Sequence, residues 1–146
     1  MGIGVLLVLW LRKLKSFIVP LVVSVLGSQF STYLGKMIVS RDRPEMAIYL
    51  ESSFSFPSGH SSIAISFYGF LAYILYKNVN TWPAKLLIII VPFIFTVLIA
   101  LSRIYLGVHF LSDVIAGYLL GAIWLTIGIA ISEYRTFYNG KNTAHR

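Results

Sequence analysis

Eight residues in this chain have types and spacings that could do chemistry: Lys36, Arg43, Ser58, Gly59, His60, Arg103, His109 and Asp113. Asp113 is the hardest to explain structurally. It stands near the start of an apolar stretch, where an unpartnered carboxylate costs several kcal/mol in a bilayer. His109 precedes it by four residues, which puts the two side chains on one helix face. A carboxylate beside an imidazole fixes its tautomer and supports its protonated form, the logic of an activated histidine. The stretch FPSGHSS, residues 56–62, sets small polar groups and a second histidine, His60, ahead of another apolar run. A helix starting there presents free N–H groups and a partial positive charge, and Gly59 lets a ligand approach the backbone closely. Lys36, Arg43 and Arg103 add cations, and arginine forks suit phosphate oxygens. Together the set reads as a cage for an anion, phosphate above all, with two histidines to supply a nucleophile and an acid. Each member also has an ordinary structural explanation. Lys36 could be a snorkelling helix-end residue, Arg103 an interface anchor, Ser58 an N-cap following Pro57, and each histidine a satisfied interfacial side chain.

The elements that must position these residues are membrane helices. Of the 146 residues, 58% are hydrophobic and only 12% charged, about half the charged share of a soluble domain. Four segments approach the ~20 apolar residues that a spanning helix needs: 17–36, 61–77, 84–105 and 110–132. The chain therefore reads as all-α, an integral membrane bundle with four visible spans, organised as one domain over residues 1–146. The apolar run 1–11 is too short to span. It reads either as an interfacial segment or as the end of a helix whose start precedes this sequence, and it lacks the positive leading region of a signal peptide. Pro92 is expected to kink the third span. Gly117 and Gly121 form a small-xxx-small pair that favours close helix packing. The polar tail 138–146 is expected to fray.

Hairpin alternation of the spans brings the ends carrying all eight residues to one face of the membrane. That face also receives the long connection 37–57, which holds Arg41, Asp42, Arg43, Pro44, Glu45 and Glu51. Arg12, Lys13, Lys15, Lys77, Lys85, Arg135, Lys141 and Arg146 fall on the other face, eight of the twelve basic residues. Cations concentrate on cytoplasmic loops, so the candidate site faces outward. The net charge of +7 is explained the same way, and no nucleic-acid partner is expected. There is no cysteine, and the three histidines, His60, His109 and His145, make a protein-held zinc site a poor reading.

Three stretches, KMIVSRDRP (36–44), PSGH (57–60) and SRIYLGVHFLSD (102–113), resemble the three-part signature of the type 2 phosphatidic acid phosphatase family. These are membrane lipid phosphatases related to the vanadium haloperoxidases. The match runs from Lys36 to Asp113, with every specified position present in order. The resemblance implies that His109 is a nucleophile forming a phosphohistidine and that Asp113 orients it. It implies that His60 protonates the leaving group and later activates water. Lys36, Arg43, Ser58, Gly59 and Arg103 would hold the phosphate oxygens. No cofactor and no metal are implied, and the substrate would be a lipid phosphate or diphosphate in the bilayer of a bacterial plasma membrane. Members of the family typically have six spans, with the signature on the later four. Two other readings of the same residues stay open: a phosphotransferase that passes the phosphate to another acceptor, and a non-catalytic membrane protein that binds anionic lipid head groups.

Overall fold

The computed structural model describes residues 2–49 and 51–144; Met1, Leu50, His145 and Arg146 lie outside them. Helices account for nearly all of the regular structure: α1 (Gly2–Leu11), a 3-10 turn (Lys15–Phe17), α2 (Ile18–Val39), α3 (Gly59–Ile63), a π segment (Ala64–Tyr68), α4 (Gly69–Lys77), α5 (Trp82–Tyr105) and α6 (Leu111–Ala144). Among the described residues, three helices are long and apolar enough to cross a membrane: Lys15–Val39, Trp82–Tyr105 and Leu111–Tyr138. The fourth apolar segment of the sequence falls on the continuous helical run 59–77, in which α3 passes through the π segment into α4.

Packing in this bundle divides into two zones. Leu9, Leu21, Phe70 and Ile74 form the buried apolar cluster, flanked by Phe17, Leu125 and Ile129. Toward the other end, small polar residues take over. Ser24, Ser28 and Thr32 on α2 are buried, as are Ser61, Ser62 and Ser66 on the facing run. Ser28 and Ser62 hydrogen-bond to each other through their hydroxyls, and the Ser24 hydroxyl donates to the Ser66 carbonyl at 3.4 Å. Lipid tails give helices no hydrophobic reason to associate, so small residues and short polar contacts draw backbones together.

The glycine pair on α6 belongs to this zone. A Cβ on Gly117 would stand 2.5 Å from the Ser58 carbonyl oxygen, and one on Gly121 2.5 Å from that of Ser62. Helix α6 therefore presses directly against the start of α3, the turn that carries His60. Sequence spacing alone marks this pair as packing; the structure adds that what it packs is the candidate site.

One expectation is corrected. The tail does not fray at residue 138: α6 continues to Ala144, 34 residues in all. At 1.5 Å per residue that is about 51 Å, well beyond a hydrocarbon core of about 30 Å, so its last turns project past the bilayer. No proline interrupts it, and a single Gly140 costs too little to end a helix. Lys77 and Tyr73 tie its exit to the neighbouring run through Glu133, at 2.7 and 2.9 Å. Ser58, at the N-cap position of α3, makes no side-chain capping bond; its hydroxyl instead accepts from Ser61 at 3.1 Å.

Candidate active site

The His109–Asp113 pair is built by the tight connection between α5 and α6. Gly107 takes a left-handed φ of +66° there, and a Cβ on it would meet the Met46 carbonyl at 2.8 Å, so the connection folds back against the 40–57 loop. His109 precedes α6 and Asp113 sits in its first turn. One carboxylate oxygen of Asp113, Oδ2, accepts the backbone N–H of Phe110 at 2.9 Å, a reciprocal cap that satisfies one donor freed at the helix start. The same oxygen faces Nδ1 of His109 at 3.5 Å. Both side chains are buried, and Nδ1 makes no hydrogen bond of good geometry. Catalytic hydrogen bonds are often long without substrate and tighten when it binds. Burial first, and then the Arg43 and Lys36 cations, hold the His109 pKa below the ordinary imidazole value, against the pull of Asp113. The ring is therefore neutral at neutral pH, as a nucleophile must be.

Lys36 lies in the last turn of α2 and donates to the Phe54 carbonyl. Arg43 reaches inward from the loop. Its Nη1 donates to the Val108 carbonyl and its Nε to the Ser53 carbonyl, both at 2.8 Å, while Nη2 pairs with Glu51. Arg103 closes α5, with Nη1 donating to the Tyr49 hydroxyl at 3.0 Å and Nε to the Ser102 hydroxyl at 3.2 Å. Tyr49 in turn donates to Glu51 at 3.2 Å. One short acidic and phenolic bridge thus joins the two arginines expected to hold phosphate. Ser58 is fully buried, and its N–H donates to the Asp113 carbonyl at 2.9 Å. This bond joins the start of α3 directly to the start of α6. His60, one residue after Gly59, is exposed. The charged groups within electrostatic reach of its ring are Arg103, Glu51, Arg43 and Lys36.

The structure therefore brings the eight residues to one end of the bundle, from α2, the loop, α3, α5 and α6. Arg43 and Lys36 are neighbours of both histidines. Three participants lack any mark of this arrangement in the eight-residue set. Arg41 pairs with Asp113 at 3.0 Å, and Glu51 and Tyr49 occupy the arginines. Charge alone could have pointed to Arg41 and Glu51 in an otherwise apolar chain, but not to their partners. Among the described residues, no three of His, Asp or Glu gather closely enough to hold a metal ion.

Comparison with known proteins adds four relations. Residues 17–137 match the profile of the PAP2 superfamily. Over 87 residues the chain is 44% identical to phosphatidylglycerophosphatase B of Bacillus subtilis, covering 58% of this chain and 43% of that protein. It is 29% identical over 125 residues to a putative undecaprenyl-diphosphatase of Escherichia coli, covering 80% of this chain and 59% of that protein. The chain thus spans about half the length of these curated relatives. Its fold superposes on the crystal structure of a transmembrane PAP2-type phosphatidylglycerolphosphate phosphatase from Bacillus subtilis with a TM-score of 0.71 at 34% identity. That superposition covers 78% of this chain and 58% of the other.

Proposed function

We propose that this integral membrane chain, which belongs to the PAP2 superfamily, is a phosphatase that hydrolyses phosphate monoesters or diphosphates carried by long-chain lipids. The observation that carries this reading is the buried His109–Asp113 pair set beside Lys36 and Arg43, two cations that also neighbour His60. In the reaction, Lys36, Arg43, Arg103 and the N–H groups around Ser58 and Gly59 hold the phosphate oxygens. They stabilise the charge that spreads over those oxygens in the transition state. Nδ1 of His109 faces Asp113, which leaves Nε2 to attack phosphorus. The bond from phosphorus to the lipid oxygen breaks, and His60 gives that oxygen a proton. Water then attacks the phosphohistidine, with His60 taking its proton, and His109 is released neutral. The protein cations carry the electrostatics, without a metal; among the described residues, no three carboxylates or imidazoles gather closely enough to hold one.

Position and the relatives support the substrate class. The proteins this chain resembles are named for phosphatidylglycerophosphate and undecaprenyl diphosphate, both lipid-anchored. The 37–57 loop exposes Met46, Ile48 and Tyr49 beside the site, a set suited to the membrane interface. A lipid phosphate would arrive sideways with its head group already at the right depth. Purified protein in mixed micelles should release phosphate from a long-chain phosphatidate or polyprenyl diphosphate with a far higher kcat/KM than from glycerol phosphate. The activity should survive EDTA. Equal kcat/KM values, or a loss in EDTA restored by magnesium, would overturn the reading.

The site faces away from the cytoplasm in this proposal, supported by the cation asymmetry: of the eight basic residues assigned to the opposite face, seven fall within the described residues and Arg146 outside them. The sequence has no cysteine, so single thiols report cleanly. Ser52→Cys, on the site-face loop, should label with an impermeant maleimide in intact cells, and Asn80→Cys only after permeabilisation. The reverse pattern would put the site in the cytoplasm.

A further inference from the structure

Arg41 lies two residues before Arg43 but faces a different partner. Its Nη1 pairs with Oδ1 of Asp113 at 3.0 Å and donates to the Ser112 hydroxyl at 2.7 Å. Its guanidinium lies 4.0 Å from the centre of the Phe110 ring. We propose that Arg41 is a positioning residue, which neutralises the Asp113 carboxylate and locks its orientation toward His109. This rests on the phosphatase reading above.

The argument begins with burial. The Asp113 side chain is wholly removed from solvent, and a buried carboxylate needs a cation or it is strongly destabilising. His109 does not supply that charge, since its imidazole is held neutral by burial and by the cations behind it. Among the described residues, Arg41 is the permanently charged side chain that pairs with Asp113. Orientation follows from the same contacts. Oδ1 is held by Arg41, and Oδ2 by the Phe110 N–H at 2.9 Å. A carboxylate gripped at both oxygens cannot rotate, and the gripped Oδ2 is the one facing Nδ1 of His109. The ring stacked under the guanidinium belongs to the same Phe110, so one residue braces both the cation and the carboxylate. Arg41 is itself anchored through its backbone. Its carbonyl accepts the Ser55 N–H at 2.8 Å and the Ser55 hydroxyl at 3.1 Å. Ser55 is fully buried and lies three residues before Ser58. The stretch that leads into α3 therefore also fixes the arginine that aims Asp113.

A group that acts only through Asp113 should lose its effect once the carboxylate is gone. The test is a double-mutant cycle on the purified full chain with a long-chain lipid phosphate, measuring kcat and KM for wild type, Arg41→Gln, Asp113→Asn and the double variant. Arg41→Gln should lower kcat by roughly 10- to 100-fold, by analogy with the loss seen when the hydrogen-bond partner of a metal-bound imidazole is removed, with KM unchanged. Arg41→Lys should recover most of the loss. In the Asp113→Asn background, Arg41→Gln should cost almost nothing. Equal costs in both backgrounds, or a loss that falls on KM, would overturn the proposal and mark Arg41 as a substrate-binding or purely structural residue. If Arg41→Gln does not fold, Arg41→Lys gives the answer: a modest fall in kcat confined to the Asp113 background supports the proposal, and one shared by both backgrounds overturns it. A wild-type protein inactive on every lipid phosphate would instead overturn the phosphatase reading, and this inference with it.

Discussion

His109→Ala should abolish phosphate release while the protein remains folded. The imidazole is almost wholly buried, yet its Nδ1 makes no hydrogen bond of good geometry. Its removal therefore breaks no polar network that holds the bundle together. The backbone bonds around it, from Val108 N–H to the Arg103 carbonyl and from Ser58 N–H to the Asp113 carbonyl, do not depend on the ring. What disappears, on the proposed mechanism, is the atom that forms the bond to phosphorus. Loss of a nucleophile from a cooperating set costs on the order of 10⁶-fold in kcat. Phosphate release by wild type and variant, read beside elution volume and far-UV circular dichroism in the same detergent, checks the expectation. Substantial turnover by a folded His109→Ala protein would remove His109 from the chemistry.

His60→Ala should have the next largest effect, a fall of about 10²–10⁴-fold in kcat, the share typical of general acid–base catalysis. His60 is exposed at the start of α3, within electrostatic reach of Arg103, Arg43, Lys36 and Glu51. On the proposed mechanism it meets the leaving oxygen from the open side of the cage. A lipid alkoxide is a poor leaving group and needs a proton, whereas an aryl oxide departs without one. The His60→Ala deficit in bond cleavage should therefore shrink for a lipid analogue bearing an aryl phosphate. A deficit of the same size for both leaving groups would show that His60 binds phosphate and does not donate a proton to the leaving oxygen.

The sequence announced the fold wherever hydropathy and length are sufficient physics. Helices α2, α5 and α6 needed only runs of apolar residues bounded by cations, because a bilayer leaves a chain few alternatives to helix. The run 59–77 was legible as apolar, but not the π segment at Ala64–Tyr68, whose residues carry no helix-breaking mark. The continuation of α6 to Ala144 was missed because a polar tail was equated with an unstructured one. Glu133 held by Lys77 and Tyr73 is a contact between residues more than fifty positions apart, and periodicity cannot reveal it.

The candidate site divides in the same way. His109 with Asp113 was visible because the two share one helix face, so spacing alone predicts proximity; the structure sets them 3.5 Å apart. Arg41 with Asp113 was invisible, since 72 positions separate them and only the folded loop brings them together. Glu51 stands in the sequence only as one charged residue of the long connection, yet it and Tyr49 occupy Arg43 and Arg103. Arginines gathered to hold an anion repel one another until something negative joins them. A nearby carboxylate is the natural partner, but its identity depends on the path of the 40–57 loop.

The central claim, that phosphate passes through His109, is tested most directly by rapid quenching during turnover of a lipid substrate radiolabelled in its terminal phosphate. His60→Ala with a lipid analogue bearing the label in an aryl phosphate is the combination of choice, because the aryl oxide departs without a proton while the residue proposed to activate the second-step water is absent, so the intermediate should persist. The account predicts label bound to the protein through an acid-labile, alkali-stable phosphoramidate, carried by the peptide that contains His109 and absent from the His60→Ala, His109→Ala double variant. Label on a serine or an aspartate, or turnover with no labelled protein at any quench time, would contradict it.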